Sequence, residues 1–211
     1  MQLFALITKQ DGGISRLEID YVNRFLVQQI GVESAPEYLQ LYKDTAGDRE
    51  TEQKSGSEKV PEKKLTSVLD SVRVLKLCKQ ISKTINQRQK VVVLVRILEL
   101  VNTEYNLTDQ RLNIVKTVSD IFRIQKEEYE CIFTFVTSNK TEDLSHTNHL
   151  AADPLFFLRI PSVELYFVKH TDAGEAFLNG LSMHSGVIYS FASGGTLRLP
   201  AGQPVYYSDI S

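Results

Sequence analysis

Up to about residue 138, apolar residues recur at spacings of three and four. Examples are Leu17, Tyr21, Val22 and Phe25, and again Ile114, Val115, Val118, Ile121 and Phe122. That spacing gathers them on one face of a helix. It predicts helices over about 2–9, 15–30, 35–43, 65–86, 88–104, 108–123 and 126–138. Two of the starts carry their own chemistry. Ser15 followed by Glu18 has the spacing of a capping box, in which hydroxyl and carboxylate each satisfy the other's backbone amide. Thr108 and Asp109 start a later helix in the same way. From about residue 154 the period changes to two, in LFFLRI, ELYFVKH, GVIYSF, TLRLP and PVYYSD, with Gly, Pro, Asn and Ser between the runs. These read as short strands, and Asn179-Gly180 marks a tight hairpin.

Two stretches lack either period. Residues 44–64 carry 11 charged residues in 21 and no Leu, Ile, Phe or Tyr, so they bury too little to offset their ordering entropy. They read as a disordered loop, either a tolerated insertion or a docking segment. Residues 139–153 are polar and aperiodic, and read as a linker. The expected organisation is α+β in two domains: an all-α bundle over 1–138, then a small all-β domain over 154–211. Phe156, Phe157, Tyr166, Phe167, Tyr189, Tyr206 and Tyr207 supply a strand core in the latter. A sheet that small has exposed edges and a limited core, so it is expected to lean on a partner.

Composition narrows the class without naming a function. A charged fraction of 24% beside 42% hydrophobic residues excludes wholesale disorder. A formal charge of −2 argues against a dedicated nucleic-acid binder. Cys78 and Cys131 sit inside apolar patterns and read as buried thiols of a reducing compartment. The N-terminus lacks the basic lead of a signal peptide. No run reaches the roughly 18 apolar residues of a membrane span. The expected location is cytoplasmic.

Offsetting the chain against itself by about 93 residues exposes a weak repeat: Phe4-Ala5 falls on Ile97-Leu98, Ile14-Ser15 on Leu107-Thr108, and Tyr21-Val22 and Phe25 on Ile114-Val115 and Val118. Each copy is a helix, a polar turn and a second helix, so the repeat predicts two helical hairpins packed on one another. Gln10-Asp11-Gly12-Gly13-Ile14-Ser15-Arg16-Leu17-Glu18 resembles the signature of TerB-like domains of the tellurite-resistance type, also found in DjlA-type co-chaperones. The resemblance implies an all-helical duplicated bundle. Gln10 stands where the family has Ala. In the second copy Glu104-Tyr105-Asn106 replaces the Asp-Gly turn, and Arg111 replaces the acidic residue. The β-rich tail is similar to the region before the ATPase cassette in bacterial ABC-transporter-type ATPases that begin with a TerB-like domain. Its Leu178-Asn179-Gly180 and Gly194-Gly195-Thr196-Leu197 layout partly resembles a forkhead-associated (FHA) fold, without that fold's phosphothreonine-binding residues. No phosphate-binding loop motif occurs in these residues.

Candidate chemistry is sparse. The TerB resemblance implies that Asp11 and Glu18, with Asp20 nearby, could hold a divalent cation; the residues read equally as a turn and half of a capping box. His146 and His149 have i, i+3 spacing but no third ligand, while His170 and His184 read as surface positions. Lys76, Lys79, Lys83 and Lys90 fall on one stripe if their helix runs on, a solvated face or a contact for an anionic membrane or nucleic acid. Val74, Leu77, Cys78, Ile81 and Ile85 lie opposite. Leu65, Val68, Leu69 and Val72 project on the lysine side, so the helix must change its buried face, or break, near 72–74. The leading expectation is a non-catalytic accessory region at the front of an ABC-type ATPase, with a protein partner and no resident cofactor. In a full-length transporter it would lie at the cytoplasmic face of the inner membrane. The alternative is a stand-alone stress-associated binding protein with a weak divalent-metal site.

Overall fold

A computed structural model describes residues 1–9, 14–47, 63–104, 107–138, 149–152, 155–171, 174–200 and 202–210. It is an α+β protein, with helices first and antiparallel sheets after. The chain forms two compact units, Met1–Gln125 and Lys126–Ser211. The loop expected over 44–64 lies largely outside the described residues, as do most of the linker expected over 139–153 and His146.

The first unit holds α1 (Gln2–Lys9), α2 (Arg16–Ala46), α3 (Lys63–Thr84), α4 (Gln87–Asn102) and α5 (Asp109–Phe122). α1 is apolar almost all round, and Leu3 through Thr8 are all buried. Its counterpart in the repeat, the second half of α4, buries Val95, Ile97, Leu98, Leu100 and Val101 and carries Arg96 and Glu99 paired with each other. A helix without a polar face belongs inside a bundle, and α1 accordingly packs on α2, α3 and α4. α2 packs on α1 and α5 on α4, as the repeat predicts. The Phe4 and Phe25 rings meet at 5.8 Å in the first pair. The helices expected over 15–30 and 35–43 both form within α2, separated by a kink at Gly31, whose backbone is non-helical (φ 83°, ψ 166°). Beyond the bend, Ala35, Tyr42 and Ala46 turn back into the core.

α3 runs through 72–74 unbroken, with Val72 57% exposed and Val74 and Cys78 buried. It ends at Thr84. Asn86 then caps α4, its side chain accepting from the Gln89 amide and Gln89 answering to the Asn86 amide. This second capping box was legible in the residues but absent from the expected starts. α5 starts at the Thr108 cap, as expected, and ends on Arg123 in the left-handed region.

Among the described residues, the second unit holds α6 (Lys126–Thr137) and eight strands. These are β1 (His149–Ala152), β2 (Leu155–Ile160), β3 (Leu165–His170), β4 (Phe177–Leu178), β5 (Leu181–Ser182), β6 (Tyr189–Phe191), β7 (Thr196–Arg198) and β8 (Val205–Tyr206). They form two antiparallel sheets, ordered β1-β2-β3-β6 and β5-β4-β7-β8. β2 pairs along its whole length with β3, Phe157 opposite Val168. Alternate residues of a strand face opposite sides. Leu155 and Phe157 join Tyr166, Val168, Met183, Phe191 and Leu197 in one core. Phe156, Leu158 and Ile160 on the other face are buried too, because α6 packs on β2. A strand covered on both faces reads as a continuous apolar run rather than an alternation, and LFFLRI is such a run.

α6 is fastened to this sheet at both ends. The Glu128 carboxylate accepts from the Ser162 amide (3.0 Å) and hydroxyl (2.8 Å). Lys169, buried on β3, donates through Nζ to the carbonyls of Phe135 and Ser138 at the helix C-terminus. A cation there meets the negative end of the helix dipole. α6 therefore belongs with the sheets, whereas the sequence reading placed residues up to 138 in the helical domain. Within the expected linker, 149–152 are strand β1, paired with 155–158. Asn179 and Gly180 both take positive φ (52° and 82°) in the two-residue loop joining β4 to β5, the turn expected there. Cys78 and Cys131 are buried, as expected, and neither forms a disulfide.

Candidate functional site

Among the described residues of the first unit, buried polar side chains gather around the two capped helix starts. Ser15 caps α2: its hydroxyl accepts from the Glu18 amide (3.2 Å), and Glu18 Oε2 accepts from the Ser15 amide (2.9 Å). Thr108 caps α5, accepting from the Arg111 amide (3.3 Å). Glu18 and Arg111 are thus the third residues of two repeat-related helices. They stand at positions equivalent under the offset that aligns Ser15 with Thr108. Their side chains meet. Glu18 Oε1 lies 2.9 Å from Arg111 Nη2, the two side chains being 1% and 3% exposed.

Neighbouring polar groups complete the wall. Arg111 Nη2 reaches the carbonyl of Thr8 on α1 at 3.5 Å, and the Thr8 hydroxyl bonds the Tyr42 hydroxyl at 2.9 Å. Thr8, Glu18, Tyr42 and Arg111 are all buried. Burial pushes the Glu18 carboxyl above its ordinary value; the Ser15 amide and the Arg111 guanidinium pull it down without cancelling that rise, and Glu104 adds to it. Desolvation of a carboxylate outweighing a close cation is the usual balance for a fully buried ion pair. Burial also raises the Tyr42 hydroxyl strongly. Nearby, the single Tyr21 hydroxyl proton is shared between Glu99 Oε2 (3.0 Å) and the Arg96 carbonyl (3.2 Å), and Glu99 Oε2 also meets Arg96 Nη1 at 2.6 Å. Burial, then Glu99, drives the Tyr21 hydroxyl well above its ordinary range.

The other expected site residues fall as follows. Asp11, with Gln10, Gly12 and Gly13, lies outside the described residues. Asp20 is exposed while Glu18 is buried, so the two are not brought together. Among the described residues no three His, Cys, Asp or Glu side chains gather as metal ligands would. His170, expected at the surface, is buried, with Nε2 3.2 Å from the Met183 carbonyl; β3 is a central strand, which the aromatic pattern alone did not reveal. His184 is exposed, as expected, and His149 lies on β1. Lys76, Lys79 and Lys83 are exposed on α3, but Lys90 belongs to α4, across the Asn86 cap, so the stripe of four is a stripe of three. At 100° per residue, the exposed Val72 and Leu75 fall on that same stripe. Among the described residues no helix is long and apolar enough to cross a membrane.

Arg111, which stands where the second copy of the repeat lacks the acidic residue, is not among the expected site residues. The 93-residue offset placed it opposite Glu18; opposite charges at matching places in a duplicated fold were the available signal. No family model, curated protein or solved structure matches this chain.

Proposed function

We propose that this chain is a non-catalytic protein-interaction region: a TerB-like duplicated helical-hairpin bundle followed by a small, partly FHA-like β unit, acting as the front part of a cytoplasmic ABC-type ATPase. The resemblance of Gln10–Glu18 to the TerB signature supports the bundle assignment, and so does the agreement of caps at Ser15 and Thr108. The Asn179-Gly180 hairpin and the strand Thr196–Arg198 support the likeness of the β unit.

The observation that carries the interaction reading is the outer stripe of α3. Val72, Leu75, Lys76, Lys79 and Lys83 are exposed along one face, while Val74 and Cys78 on the opposite face are buried. The buried pairs Glu18–Arg111 and Thr8–Tyr42 each join two helices of the bundle, which suits a scaffold better than a reaction centre. A stripe mixing apolar and cationic side chains fits an acidic protein surface, with charge steering the encounter and apolar contact holding it.

The test is calorimetric titration of the chain with the ATPase cassette encoded in the same reading frame. The expected result is a complex that the triple variant Lys76→Glu, Lys79→Glu, Lys83→Glu weakens at least about tenfold, three reversed charges costing more than about 1.4 kcal/mol. A reading frame without a phosphate-binding loop, or a complex indifferent to the triple variant, refutes the proposal.

A further inference from the structure

The TerB resemblance implies a divalent cation beside Glu18, and the described residues around that carboxylate do not fit one. Glu18 Oε2 is engaged by the Ser15 amide at 2.9 Å, and Oε1 faces Arg111 Nη2 at 2.9 Å. A calcium or magnesium ion would sit about 2.0–2.6 Å from a carboxylate oxygen and call for six or more oxygen ligands. Beside Oε1 it would stand against the guanidinium, cation against cation, in a pocket with almost no water contact.

We infer that Arg111 is the resident cation of Glu18: a guanidinium supplied by the second helical hairpin in the place a metal ion would take beside that carboxylate, locking the two hairpins together without metal. The geometry comes from the repeat. Equivalent positions of two helices that start with the same cap are brought face to face, and one carries the acid and the other the base. The local chemistry argues the same way. Arg111 stands in the first turn of α5, where the helix dipole disfavours a cation, and its side chain is 3% exposed. A residue that breaks a local rule while fully buried must be compensated from elsewhere in the fold. Glu18 is that compensation, and the Thr8 carbonyl on α1 adds to it. The inference is independent of whether the chain precedes an ATPase.

Thermal unfolding of the full chain, followed by circular dichroism in EDTA and in millimolar Ca²⁺, Mg²⁺ or Mn²⁺, tests it. The wild-type midpoint is expected to be unchanged by any of the three ions. Arg111→Met, which keeps the bulk and removes the charge, is expected to lose on the order of 10 °C in EDTA. It should regain a measurable part of that with a divalent ion. A rise of the wild-type midpoint with divalent ions that Glu18→Gln abolishes overturns the inference, and so does an Arg111→Met variant as indifferent to the ions as wild type. Should Arg111→Met fold under neither condition, Arg111→Lys, which keeps the charge, is expected to fold and stay ion-independent; ion-dependent folding of that variant is equally fatal.

Discussion

Replacing the members of the Glu18–Arg111 pair singly and together measures how much of the helical unit depends on it. The pair is almost fully desolvated at 2.9 Å. Removing one member of such a pair leaves a buried uncompensated charge and costs about 3–5 kcal/mol, whereas replacing both is far milder. Glu18→Gln keeps an acceptor for the Ser15 amide, so the capping box survives and the loss reports on Arg111 alone. Arg111→Met leaves the carboxylate stranded. In the double variant the remaining cost is a buried amide short of partners, about 1–3 kcal/mol. The single losses therefore sum to about 6–10 kcal/mol while the double variant loses about 1–3, a coupling of at least about 3 kcal/mol. Urea unfolding read by circular dichroism at neutral pH gives the four free energies. Losses that add to within about 0.5 kcal/mol would mean the two groups act independently, and the lock would be discarded. The pH dependence has a defined sign. Burial holds the folded Glu18 carboxyl above its unfolded value. Its contribution is thus fully present below the unfolded value and declines as pH rises through the raised one. Glu18→Gln should erase that slope.

Three further outcomes follow from the geometry. Burial pushes the Cys78 thiol up to about 11, so the folded state holds that proton more tightly than the unfolded chain. Stability is retained below the ordinary thiol value and falls as pH climbs towards 11, by up to about 2–3 kcal/mol. Cys78→Ala should flatten the fall between pH 8 and 10.5 in urea titrations, and an unchanged slope counts against the burial. A Cβ on Gly195 would lie 2.7 Å from the Phe191 ring and 2.8 Å from the Ala192 carbonyl. Gly195→Ala should destabilise the β unit by about 1–3 kcal/mol with a changed near-ultraviolet aromatic signal, and a wild-type melt would show that the turn can yield. Lastly, the three exposed lysines of α3 are worth about 1 kcal/mol each at an anionic bilayer. Flotation with phosphatidylserine vesicles should therefore show only weak binding, lost at high salt. Tight, salt-resistant binding would point to a lipid rather than a protein partner.

The α-helical periodicity needed no tertiary help. The bounds of α1 coincide with the expectation, the starts at Ser15 and Thr108 are capped as their residue types dictate, and Asn179-Gly180 turns where it must. Such features depend on three or four neighbouring residues, so they are written locally. Assigning α6 to a unit was beyond that reach, since an apolar stripe says that a helix is covered but not by what; Glu128 with Ser162 and Lys169 with the helix end decide it. β1 was hidden because four residues are too few for a period, and the strand exists through its pairing with β2. His170 looked like a surface residue for want of knowing that β3 is central.

The candidate site divides along the same line. Glu18 was legible as a cap, and its divalent-ion reading came from resemblance alone. Short-range spacing was enough to specify a helical half, a β-rich half, the caps at Ser15 and Thr108 and the Asn179-Gly180 turn. Only the tertiary structure decided that Glu18 and Arg111, so far apart along the chain, neutralise each other in the bundle. The physical reason is that desolvation makes a buried charge depend on whichever group the fold brings within about 3 Å, and chain distance carries no record of that.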